Sequence, residues 1–166
     1  MATKASFTTE EWQQVLESPL LAATAVTAAD PSGLFGLVKE GFAASRALAE
    51  ARADTGSNEL MSAVVADLET SEGRDSVREG LKAALAGGRA ADVKPRAIEG
   101  LRQVSALLET KAPEDAAAFK AWLAEIAERV AEASKEGGFL GFGGVQVSDA
   151  EKATLAEIDA ALRRTA

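Results

Sequence analysis

Asn58-Glu59-Leu60-Met61-Ser62-Ala63-Val64-Val65-Ala66-Asp67-Leu68-Glu69 is the stretch whose reading decides the fold class. Leu60, Met61, Val64, Val65 and Leu68 recur at steps of three and four, the period of one helix face. A half-buried strand would need strict alternation instead. The same period recurs on both sides, punctuated by residues that start and stop helices.

Upstream, Thr8 with Glu11 forms a capping box, in which each side chain satisfies a backbone N–H at a helix start. Trp12, Val15 and Leu16 follow as a short stripe. Ser18-Pro19 has the form of an N-cap with Pro at the first helical position, which predicts a second helix over Leu20 to Ala29. That segment is apolar almost all round and should be central. Asp30-Pro31-Ser32-Gly33 is a turn. A third helix is expected from about Leu34 to Arg52, with Phe35, Val38, Phe42, Ser45 and Ala49 on one face, before Asp54-Thr55-Gly56-Ser57 breaks it.

Downstream, a polar loop from Thr70 to Arg74 leads to a helix carrying Val77, Leu81, Ala84 and Leu85, which Gly87-Gly88 ends. The next helix should start near Val93, take Pro95 in its first turn and run to about Thr110, burying Ile98, Leu101, Val104, Ser105 and Leu108. Another spans Pro113 to about Glu136, with Phe119, Trp122, Leu123, Ile126, Val130 and Ala133. Ser148 with Glu151 is a second capping box, opening a last helix with Leu155, Ile158 and Leu162. Trp12 and Trp122 read as core anchors. Gly41, Gly80 and Gly100 lie within helices, where close helix crossing accounts for them. The expectation is an all-α chain: a single compact globular bundle of about eight helices, with residues 1–166 as one domain.

Composition agrees. Apolar residues make up 47% and charged residues 27%, so the chain can build a core; aromatics are only 5%, so Ala, Leu, Val and Ile must fill it. Ala loses no side-chain entropy in a helix and lets helices approach closely.

The formal net charge is −8, and 18 Lys and Arg are scattered among 26 Asp and Glu. Nucleic-acid binders draw affinity from a basic stripe, which is missing here, so no nucleic acid is expected as a partner. Anionic membrane surfaces would repel the chain, and no apolar run approaches a membrane span. The start, MATKASFTTEEW, has no signal-peptide pattern, which makes the cytoplasm the expected location. A cationic partner or a metal is electrostatically admissible, though solubility alone explains the charge.

The sequence holds no Cys and no His. Disulfides, zinc-thiolate sites, His- or Cys-ligated haem and Ser-His or Cys-His nucleophiles are thereby excluded. His is also the commonest general acid/base, so its absence counts against an enzyme without closing that question. No catalytic residue stands out and no cofactor is implied.

One internal echo is visible. Val26 to Gly36 and Val130 to Gly141 both read as an apolar helix end, a polar turn, then Gly, two large apolar residues and another Gly. This is either a pseudo-repeat, around 20–52 and 114–164, or what any helix ending before an apolar re-entry looks like.

The same segments carry a resemblance to a known family. Ala25 to Asp30 resembles the Ala-Val-x-Ala-Ala-Asp-x-x-Gly end of a central helix in the TerB-like tellurite-resistance family. Val130 to Ala133, then Val147-Ser148-Asp149-Ala150-Glu151 and Leu155 to Leu162, is similar to that family's second such unit. The resemblance covers about a third of the chain. It implies a compact all-α fold with pseudo-repeated helices and an acidic site for a divalent metal after the central helix. Pro31 stands in what would be the acidic turn and Ser134 where a second Asp is expected, leaving Asp30 as the matching carboxylate. Asp30 and Glu40 are the candidate metal ligands, by convergence across the turn; the simpler role for Asp30 is to cap or turn the chain. No calcium-loop pattern occurs and the Glu-x-x-His di-iron pattern cannot, so no tightly held transition metal is expected.

Gly137-Gly138-Phe139-Leu140-Gly141-Phe142-Gly143-Gly144 is the least expected local sequence. It lacks the Lys and Ser/Thr of a phosphate-binding loop, and a helix precedes it where a dinucleotide fingerprint needs a strand. Two readings stand. Phe139, Leu140 and Phe142 either fold inward as a plug over the core or project as apolar anchors for a protein partner. The plug is favoured, because exposed anchors would lower solubility.

The functional expectation is a small soluble helical protein acting as a protein-binding or assembly component, through a protein partner or self-association. The alternatives are a carboxylate-based divalent-metal-binding protein of the TerB-like kind, and an enzyme using only Asp/Glu and Lys/Arg.

Overall fold

A computed structural model describes residues 2–29, 58–136 and 147–163. All its regular elements are helices: a 3-10 turn at Lys4–Ser6, then α1 (Thr9–Thr27), α2 (Glu59–Leu68), α3 (Ser71–Leu85), α4 (Ala90–Lys111), α5 (Pro113–Glu136) and α6 (Asp149–Arg163). The all-α expectation holds, with six α-helices among the described residues where about eight were expected. The expected third helix, over 34–52, lies outside the described residues.

The other difference is that the first two expected helices are one. Helix α1 runs unbroken from Thr9 to Thr27 with Pro19 inside it. A proline there removes the N–H that would bind the carbonyl four residues back, on Val15. The Ser18 hydroxyl donates to that Val15 carbonyl at 2.7 Å, and both residues are fully buried. Ser18 is therefore not a cap; it replaces the hydrogen bond that Pro19 forfeits. Two starts also move upstream. Thr70 caps α3 directly, its Oγ1 accepting from the Gly73 N–H at 2.9 Å, so most of the expected polar loop is the first turn of the helix. Helix α4 begins at Ala90, where the Asp92 carboxylate accepts the Arg89 N–H at 2.8 Å, which moves Pro95 one turn further in than expected.

Helix α1 packs against each of the other five helices. Val15, Leu16, Leu21, Ala22, Ala25 and Val26 are all buried along it, which makes its C-terminal half the centre of the core as its all-round apolarity predicts. Around it pack Leu60 and Val64 of α2, Leu101, Val104 and Leu108 of α4, Phe119, Leu123 and Ile126 of α5, and Ile158 of α6. Trp12 and Trp122 are both buried, and Trp122 meets Phe119 edge-on at 5.2 Å.

Two polar side chains taken into this interior tie elements together, while the buried Trp122 indole N–H has no hydrogen-bond partner among the described residues. The Ser105 hydroxyl on α4 donates to the Leu162 carbonyl at 3.0 Å, satisfying an orphan acceptor in the last turn of α6. Buried Asp115, in the first turn of α5, accepts from the Ala2 N–H at 2.6 Å and from Asn58 Nδ2 at 3.4 Å. That carboxylate ties the start of the chain and the start of α2 to one point, which sets where the segment after Ala2 must run.

Candidate functional site

That segment closes one side of a cleft. Thr3 and Ser6 bracket the 3-10 turn through the Ser6 N–H on the Thr3 carbonyl at 2.9 Å, and Phe7 continues in extended backbone. The predicted capping box follows: Thr8 Oγ1 accepts the Glu11 N–H at 3.2 Å and the Glu11 carboxylate accepts the Thr8 N–H at 2.8 Å. Phe7 precedes the cap and Trp12 is the fourth helical residue, the two positions of a hydrophobic staple, and their rings lie 5.8 Å apart. Box and staple together fix the angle at which the chain enters α1. They hold the 3-10 turn back over the helix and place Lys4 Nζ 5.9 Å from the centre of the Trp12 ring.

The opposite wall comes from the corner between α2 and α3. Gly73 sits against the Asp67 carbonyl so closely that a Cβ at residue 73 would overlap it, so the corner closes only around glycine. Thr70 reinforces it, donating through Oγ1 to the Asp67 carbonyl at 2.7 Å. This turn brings the Asp67 side chain to face Trp12 and sets Glu72 and Ser76 beside it.

The cleft between the two walls has a volume of about 180 Å³ and is lined chiefly by Lys4, Phe7, Trp12, Asp67, Glu72 and Ser76. At its centre Asp67 Oδ2 accepts from Trp12 Nε1 at 2.7 Å and from Lys4 Nζ at 2.8 Å. Burial pushes the Asp67 carboxyl up, but the hydrogen bonds from Lys4 and Trp12 and the Lys4 charge outweigh it and hold it below the usual carboxylate range. Asp67 is thus ionised at neutral pH. Such an arrangement attracts cations and hydrogen-bond donors.

The candidate residues from the sequence, Asp30, Glu40, Phe139, Leu140 and Phe142, all lie outside the described residues. Among the described residues no cluster of three or more carboxylates is placed to hold a metal ion, and no helix is long and apolar enough to cross a membrane. The cleft itself escaped sequence reading. Its Thr8–Glu11 box and Trp12 were legible, but Trp12 reads only as a core anchor and Asp67 only as a polar position beside a stripe. Nothing local pairs two residues 55 positions apart.

No protein-family model, curated protein or solved structure matches this chain.

Proposed function

We propose that this chain is a protein-binding component, and that the cleft between the 3-10 turn and the α2–α3 corner receives one side chain of its partner. The observation that carries the reading is the size of the cleft set against its lining. At about 180 Å³ it falls short of the roughly 300–1,000 Å³ typical of cofactor and drug-sized ligand sites. It suits a single anchoring side chain. Its lining couples aromatic surface from Phe7 and Trp12 to the ionised Asp67, the mixture on which interface anchors depend.

Selection from a displayed random-peptide library against the full chain tests this. The reference variant is Ser76→Phe, which puts a ring into the cleft from the α3 wall. Circular dichroism and thermal melting check that the variant keeps the fold. The expected result is a family of peptides whose affinity falls at least tenfold on Ser76→Phe. A selection whose binders are all indifferent to that substitution, or that yields none, overturns the reading.

A further inference from the structure

The cleft already holds one cation, and that cation belongs to the chain itself. Lys4 stands over Trp12 and on Asp67, the position a partner's basic side chain would take. We propose that the cleft recognises an arginine from a basic protein segment, whose guanidinium displaces the Lys4 ammonium. The inference rests on the protein-binding reading and names the partner's chemistry.

Three features carry it. The first is the ease of exchange. The Lys4 side chain is 61% exposed, so its ammonium returns to water at little cost, while the Asp67 side chain, at 19%, stays mostly covered and in place. The second is an unused acceptor. Asp67 Oδ2 takes both the Lys4 and Trp12 hydrogen bonds, and among the described residues no donor reaches Oδ1. An ammonium is a point charge that one oxygen satisfies. A guanidinium presents parallel N–H groups and can engage both oxygens while lying flat against an indole, which selects arginine over lysine. The third is the field. Glu72 lines the same cleft as a second carboxylate, and the chain as a whole carries −8, which draws a basic segment in and repels an acidic one.

Lys4 therefore acts as an internal competitor. Removing it should strengthen binding, whereas a purely structural ion pair would give no such gain.

The test uses the full chain labelled with ¹⁵N and follows the Trp12 indole N–H signal, assigned with Trp122→Phe, at low salt. The probes are capped hexapeptides of alanine and serine with one central arginine, norleucine or glutamate. The arginine peptide is expected to shift the Trp12 signal saturably, with the norleucine and glutamate peptides at least tenfold weaker. Asp67→Asn keeps an acceptor for the indole and removes the charge; it should weaken the arginine peptide about tenfold while the melting curve shows the fold intact. Lys4→Ala should tighten the same peptide several-fold. Equal binding of arginine and norleucine peptides, or arginine binding unchanged in Asp67→Asn, overturns the arginine assignment and leaves the cleft as a binding site. Weaker binding on Lys4→Ala overturns the competitor role. No response of the Trp12 signal to any peptide also overturns the inference, and the library selection on Ser76→Phe decides separately whether the protein-binding reading falls with it.

Discussion

Glu17 sits at the crossing of α1 and α3, buried, with its carboxylate in the space that a Cβ on Gly80 would take. Gly80 is thus the small residue that close crossing demands, and what crosses it is a charge-bearing side chain. Gly100 is the apolar counterpart, where a Cβ would lie 2.8 Å from Leu21 Cδ1. Burial raises the Glu17 carboxyl above its ordinary value, and a hydrogen bond from Gln13 only partly offsets this. The folded chain therefore holds the proton more tightly than the unfolded chain does. The stability this contributes is full below the ordinary glutamate range and is lost as the pH rises through the raised value. Glu17→Gln keeps the shape and removes the charge. It should melt above the wild type at pH 7, and the two curves should converge towards pH 4; a gap that widens in acid would contradict the assignment.

At the scale of elements, the continuity of α1 depends on two adjacent residues. Ser18-Pro19 is also the pattern of an N-cap followed by N1, so the sequence alone admits a break at this point. What decides is whether the Val15 carbonyl finds a donor, and the Ser18 hydroxyl supplies one inside the core. Ser18→Ala should cost about 1–3 kcal/mol, the penalty for an unsatisfied buried acceptor. In a Pro19→Ala background the residue 19 N–H can reach Val15 itself, so there the same substitution should cost at least ~1 kcal/mol less. Thermal or denaturant unfolding of the four chains of this cycle measures the difference. Additive effects would show that the hydroxyl does not take over the bond lost at Pro19. The boundaries of α3 and α4 teach a related lesson. Glycine and proline near a helix start look like loop signals, yet Gly73 lies in the first turn of α3 and Pro95 well inside α4.

Across the whole molecule, α1 threads the middle of the bundle and the other helices bury their stripes on it. The remaining question at this scale concerns the glycine-rich stretch 137–144, which lies outside the described residues. If Phe139 and Phe142 plug the core, at least one of Phe139→Ala and Phe142→Ala should lower stability by about 3–5 kcal/mol, as buried Phe truncations do. If they are partner anchors, both variants should melt within about 0.5 kcal/mol of the wild type and lose association instead. Melting curves paired with sizing chromatography separate the two.

The sequence by itself determined that the described chain is helical, where α5 and α6 begin, and, among the described residues, most of those on the buried faces. Those properties depend on residues three or four apart: Ser148 with Glu151 closes its predicted box at 3.2 and 2.8 Å, and the stripe of Leu60, Met61 and Val64 is buried. Only the tertiary structure decided that Pro19 lies within a helix, that Glu17 faces Gly80, and that Trp12, Lys4 and Asp67 share one carboxylate oxygen. Each of these joins groups whose partners depend on how helices cross or on a donor inside the core. Local periodicity says which side of a helix is buried, but not which residue of another helix it meets there.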